Sequence, residues 1–192
     1  MLLPKEEGNI INIRLYIENG FRAYYDRYYH ISDEGFCRWM RPDVPDEMKV
    51  MDIDGEWSVW KLIPSQVTEQ DIQGLEKEFG LKFPQWYKVF ISTYAHYFDH
   101  IPEQDLHNPL DNIRDMYNPS LCHLGYLPFC WDAEYGHIFC IDVNHLEDEE
   151  SCAIYAIDHD ILFNEGVDIQ ASLEYLYPNF NAYFDHTFLE IR

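Results

Sequence analysis

A thiol beside an imidazole is the smallest set that makes a nucleophile, and Cys130 or Cys140 could draw on His123 or His137 in that way. No carboxylate is fixed by spacing to orient the imidazole, and cysteines inside apolar runs usually serve packing. His96 and His100 are four apart, so one helical face can present both. With His107, Asp99, Glu103 and Asp105 they could ligate a metal such as zinc. Yet Asp99-His100-Ile101-Pro102 reads as a helix end, and no HExxH or CxxC spacing occurs. His159, between Asp158 and Asp160, reads as a turn histidine rather than a general base. There is no GxGxxG, P-loop or GxSxG run. The expectation is a non-enzymatic chain without catalytic residues, cofactor or metal, a metal-dependent hydrolase being the alternative.

Groupings suited to binding are better formed. Trp131, Asp132, Glu134 and Tyr135 put two aromatics and two acids in one turn region. Trp and Tyr anchor interfaces, and acids around them steer a basic partner. Glu147, Asp148, Glu149 and Glu150 form a second acidic group. The alternative for both is plain: a tryptophan packed in the core and acids that are only solvated.

Charge favours the binding reading. Lys and Arg total 13 against 35 Asp and Glu, a formal charge of −22, and the pI is near 4.5. From Val89 onward the basic residues are Arg114 and Arg192, against nineteen acids. Such a surface repels nucleic acid and anionic lipid and attracts a basic protein. Solubility alone would also explain it. Five cysteines, an odd number without CxxC spacing, argue against a disulfide scaffold. The acidic, proline-broken start does not read as a signal peptide, and no apolar run approaches roughly 18 residues. A cytoplasmic location and no membrane partner are expected.

The elements that must position these residues fall into two parts. Residues 1–60 read as a β-rich extension. Ile11, Ile13, Leu15 and Ile17 alternate with polar residues, Asn19-Gly20 offers a turn, and an aromatic alternation runs from Phe21 to Ile31. Strands are also expected over Gly35–Arg41 and Trp57–Ile63. Residues 61–192 change period. Thr68-x-x-Asp71 resembles a capping box, Ile72, Leu75 and Phe79 follow at helical spacing, and Gly80 is a stop. Pro84 suits the first turn of a second helix. A short helix is expected near Leu110–Met116, strands over Cys122–Phe129, His137–Val143 and Ala153–Ile157, and a helix over Ile169–Tyr177. Phe180, Tyr183, Phe184 and Phe188 have helical spacing.

Three blocks together resemble the SUKH superfamily, which includes the fungal Smi/Knr regulators of cell-wall synthesis and many bacterial proteins that give immunity to polymorphic toxins. The first is Ile63-Pro64-Ser65 followed by Asp71-Ile72-x-x-Leu75-Glu76-x-x-Phe79-Gly80-x-x-Phe83-Pro84-x-x-Tyr87-Lys88-x-Phe90-Ile91. The second is Leu127-Pro128-Phe129 with Gly136-His137-Ile138-Phe139-Cys140-Ile141-Asp142, and the third is Ile154 to Asp160. The chain departs from the pattern where Tyr94-Ala95-His96-Tyr97 replaces an Asn-Gly and where His137 replaces an Asp. The resemblance implies an α+β fold, an antiparallel-rich sheet flanked by helices. It implies a protein-binding role: immunity against a cognate toxin, plausibly a basic nuclease, or a regulatory scaffold in cell-wall synthesis or signalling. Within the motif, Glu76 is expected at the surface or as a cap, Gly136 in a tight turn, and Asp142 capping the turn that follows its strand.

Overall fold

Ile13, Ile17, Phe21 and Tyr25 stand four apart, and in the computed structural model of the protein they form the buried stripe of a 25-residue helix, α1 (Pro4–Tyr28). The structure describes residues 4–28, 30–32, 35–39, 46–95, 109–132, 135–164 and 166–190. The hairpin expected from Ile11 to Ile31 is thereby corrected over its helical part. A strand would place Ile11, Ile13, Leu15 and Ile17 on one face. Instead Ile13 and Ile17 are buried while Ile11 and Leu15 are 65% and 55% exposed. The stripe at a period near four runs on from Ile17 through Phe21 and Tyr25, past the Ile11–Ile17 alternation, and it wins. Asn19-Gly20 lies inside the helix. Gly20 lets the backbone approach α6 (Phe180–Phe184) closely, since a β-carbon there would collide with the Phe184 ring.

Among the described residues that follow α1, the strands expected over Gly35–Arg41 and Trp57–Ile63 are found over 35–39 and 57–60. β1 (His30–Ser32), β2 (Gly35–Trp39), β3 (Lys49–Asp52) and β4 (Trp57–Trp60) form an antiparallel sheet in the order β1-β2-β4-β3. Met48 and Trp60 carry its inner end into the main core. β5 (Ile63–Pro64) then pairs with β6 (Tyr94–Ala95), and the two bracket a helix pair.

That pair follows the sequence closely. α2 (Glu69–Phe79) starts at a capping box, with Asp71 N–H on the Thr68 side chain and Thr68 N–H on Asp71, and it stops at Gly80 with φ 70°. Ile72, Leu75 and Phe79 are buried. Leu75 is fully enclosed. Leu75→Ala is expected to cost about 2–5 kcal/mol in a denaturant melt. A loss near zero would mean that the inner face of α2 has been misassigned. Pro84 stands just before α3 (Gln85–Ile91), at its N-cap.

Glu76 requires a correction. It is neither exposed nor a helix cap but 3% exposed, beneath the α2–α3 connection. One carboxylate oxygen accepts from Lys82 Nζ at 2.8 Å; the other accepts from Lys88 Nζ at 2.7 Å and Phe83 N–H at 2.9 Å. Burial alone would raise its pKa, but the hydrogen bonds from Lys82, Lys88 and the Phe83 amide outweigh burial and lower it. The carboxylate ties the chain after α2 to α3.

After α4 (Pro109–Asp115), α5 (Pro119–His123) holds Cys122, which was expected in a strand. Asn118 caps this helix and Pro119 occupies its first turn. The second sheet comprises β7 (Tyr126–Asp132), β8 (His137–Asp142), β9 (Ile154–Asp158) and β10 (Glu174–Tyr177), all antiparallel in the order β10-β9-β8-β7. The helix expected over Ile169–Tyr177 is corrected to a short 3₁₀ turn and β10, because pairing with β9 outcompetes a weak helical period. α6 and the π-turn Asp185–Leu189 follow, with Phe180, Tyr183, Phe184 and Phe188 buried as expected.

One face of this sheet, through Leu127, Phe129, Ile141 and Ile154, packs in the main core with α1, α2, α3 and α6. The other carries Tyr126, Ile138, Cys140 and Ile157 into a smaller cluster around Leu121. The architecture is the expected α+β. The buried stripe of α1 belongs to the same core as Leu75, Phe90 and Phe129. α1 also clasps the far end of the chain: Arg27 Nη1 donates to the carbonyls of Leu189 and Glu190, each at 3.2 Å, and Tyr16 OH donates to Asp185 at 2.7 Å.

Candidate functional site

Strand register assembles the most distinctive surface. Asp132 pairs with His137, and His137 with Asp158, so three polar side chains stand in one row across β7, β8 and β9. Trp131, Ile138 and Ile157 form the next row inward. The turn between β7 and β8 is tight because Gly136 adopts φ 69° and its N–H donates to Asp132 O at 2.8 Å. Tyr135 N–H donates to the Asp132 carboxylate at 3.3 Å.

The chain leaving β9 closes over this end. His159 N–H and His159 Nδ1 both donate to Gly136 O, at 3.0 and 2.8 Å, which fixes the ring. Trp131 meets that ring edge-on, with centroids 4.9 Å apart. Phe163 also meets that ring, at 6.4 Å, and is 81% exposed. Tyr135, 66% exposed, stacks on His137 at 6.4 Å. Asp132, Asp158 and Asp160 supply carboxylates around these rings, and no Lys or Arg occurs between Arg114 and Arg192. The result is an aromatic face with a negative surround, suited to desolvating against apolar surface ringed by cations.

Trp131, Asp132 and Tyr135 come together here; Glu134 lies outside the described residues. Trp131 is half-buried and packs against both core clusters, so part of its ring serves the fold. His137, Asp158, His159, Asp160 and Phe163 are additional members that sequence reasoning missed. Their strand ends were legible, but the register that brings β9 beside β8 was not. Asp158, His159 and Asp160 bring three ligand atoms within 4.8 Å of one another. Asp158 accepts from Asp160 N–H at 2.9 Å, His159 Nδ1 is engaged by Gly136 O, and His159 Nε2 lies 3.2 Å from the Asp160 carboxylate. His159 opens the 3₁₀ turn His159–Phe163 that follows β9.

The second acidic group is elsewhere. Glu147–Glu150 follows the opposite end of β8, roughly 17 Å away for a strand of that length. The Glu149 carboxylate accepts from Gln85 N–H at 2.6 Å and Trp86 N–H at 3.3 Å, which caps α3 from across the fold. Asp148 accepts from the Ser151 hydroxyl at 2.8 Å. Glu147 and Glu150 remain exposed. Asp142 caps its turn as expected, accepting from Asn144 N–H at 3.0 Å.

The two candidate thiols are not set up as nucleophiles. Cys130 and Cys140 are fully enclosed. Burial pushes Cys130 up to about 12 and raises Cys140 further, and burial likewise takes Cys122 and Cys152 up to about 11. The Tyr183 hydroxyl lies 3.9 Å from the Cys130 sulfur. His96, His100, His107, Asp99, Glu103 and Asp105 lie outside the described residues.

Comparison with known proteins gives one finding. Residues 66–186 match the family model described as SMI1 / KNR4 family (SUKH-1). The matched span runs from just before α2 into the π-turn; α1 and the first sheet precede it. No curated protein matches the chain. No helix among the described residues is long and apolar enough to cross a membrane.

Proposed function

We propose, from the premise that this chain belongs to the SMI1/KNR4 family (SUKH-1), that it is a non-enzymatic, cytoplasmic protein-binding module of the immunity type, which neutralises a cognate toxin by covering its active surface. The observation that carries this reading is the end face of the second sheet. Exposed Tyr135 and Phe163 and half-buried Trp131 each contact a histidine ring, with Asp132, Asp158 and Asp160 around them and no Lys or Arg between Arg114 and Arg192. A fixed aromatic anchor loses little conformational entropy on binding. The acids speed encounter with a basic surface, such as the nucleic-acid groove of a nuclease.

Surface plasmon resonance against the product of the neighbouring gene tests it, at two salt concentrations. Association is expected to slow with added salt and in Asp132→Lys and Asp160→Lys, while dissociation changes little. Trp131→Ala is expected to speed dissociation by about tenfold or more. Circular dichroism confirms that each variant folds. Kinetics unchanged in every folded variant would move the partner face elsewhere.

A further inference from the structure

Met51 to Trp57 are exposed without a break, forming the outer end of the β3–β4 hairpin, and they lie outside the span matched by the family model. The hairpin tip is preorganised. Asp54 Oδ1 accepts from the N–H groups of Glu56 and Trp57, both at 2.9 Å, and Ile53 N–H donates to Trp57 O at 2.9 Å. Three large apolar side chains crown it: Met51, Ile53 and Trp57 are 54%, 49% and 40% exposed. Met51 and Trp57 lie on one face of the sheet, since Met51 pairs with Val59 and strand neighbours two apart share a face.

Two further observations limit what can cover this surface. β3 is an edge strand; among the described residues only β4 pairs with it. Its outer backbone groups are therefore a template for another strand. The segment also carries Asp46, Glu47, Asp52, Asp54 and Glu56 against one base, Lys49, which is bound to Asp52 at 2.7 Å. A second copy of a chain with formal charge −22 is repelled from such an edge.

We propose that β3 and the hairpin tip form a docking edge for an extended, basic segment of a partner protein, which adds as a further strand beside β3. Its apolar side chains meet Met51 and Trp57, and its lysines or arginines meet the acids of the tip. This surface is separate from the end face of the second sheet and does not depend on the role given to that face.

The test is an NMR titration of the ¹⁵N-labelled full chain with a synthetic peptide of alternating lysine and valine. A glutamate–valine peptide of the same length is the control. Amide shift changes are expected within residues 46–60, with the lysine peptide only. The dissociation constant is expected to rise by about tenfold in the double variant Met51→Ser, Trp57→Ser, and to rise again with salt. Because both side chains are exposed, unchanged signals elsewhere show that the variant folds. Shifts confined to Trp131–Phe163 would overturn this proposal and leave the preceding reading intact. No shift at millimolar peptide, or equal binding of the glutamate peptide, would overturn it too.

Discussion

Phe21→Ala is expected to destabilise the protein by about 3–5 kcal/mol, the range for emptying a buried aromatic site. Phe21 is fully buried on α1, yet α1 precedes the family span. Its ring stacks on Phe90 at 5.5 Å and meets Tyr94, Phe184 and Phe188 at 5.9, 5.9 and 5.3 Å. Those partners come from α3, β6, α6 and the π-turn, so no single neighbour can move in to fill the space. Urea unfolding followed by circular dichroism measures the loss. One cooperative transition with a lower midpoint is expected, because helix and family core share one buried cluster. If α1 were an appendage, the variant would instead lose helical signal in a separate early step and keep the main midpoint.

Glu76→Ala is expected to cost on the order of 3–5 kcal/mol, as removal of one partner from a buried ion pair does. The substitution strands the Phe83 N–H, leaves Lys88 half-buried without its counter-charge, and frees the α2–α3 connection. Lys82, which is mostly exposed, contributes little, since water screens it. A pH arm separates charge from packing. The folded pKa of Glu76 lies below the ordinary 4.5, so the unfolded chain takes up the proton first. Its contribution is complete above about pH 4.5 and disappears as pH falls through the lower folded value. Wild type should therefore lose stability across the acid range more steeply than Glu76→Gln. Parallel acid profiles for the two would sink this account.

The sequence was most legible where local chemistry and tertiary contacts agree. Thr68, Asp71, Gly80 and Pro84 mark the ends of α2 and α3 because caps and stops depend on neighbours a few residues away. Gly136 and Asp142 were legible for the same reason. The failures share a physical cause. In α1, two apolar periods overlap, and only the aromatic wall of Phe90, Phe184 and Phe188 decides which of them is buried. In Ile169–Tyr177, β9 decides. Glu76 looked like an ordinary helix-surface residue because the groups that enclose it, Phe83 N–H and Lys88, follow on the next element. The same limit applied at the binding face. Trp131, Asp132 and Tyr135 were legible as a turn cluster, but Asp158, His159 and Phe163 join them only through strand register. Glu149 looked free in sequence, whereas its acceptors are used 64 residues back along the chain.

The clasp between α1 and the π-turn sets a timetable for synthesis. Leu189, which accepts from Arg27, is polymerised 162 residues later. At roughly 5–20 residues per second, the helix waits on the order of ten seconds for that part of its cover. Throughout the wait Ile13, Ile17, Phe21 and Tyr25 form an incompletely covered greasy stripe on a nascent chain, while Ile11 and Leu15 add apolar surface on the opposite side. The newborn helix is thus apolar on two sides, and the ribosome-bound intermediate is the form of this protein most in need of a chaperone. In α1 the acids Glu6, Glu7, Glu18 and Asp26 are balanced by Lys5, Arg14, Arg22 and Arg27, so the solubility that net charge confers arrives only as later segments emerge.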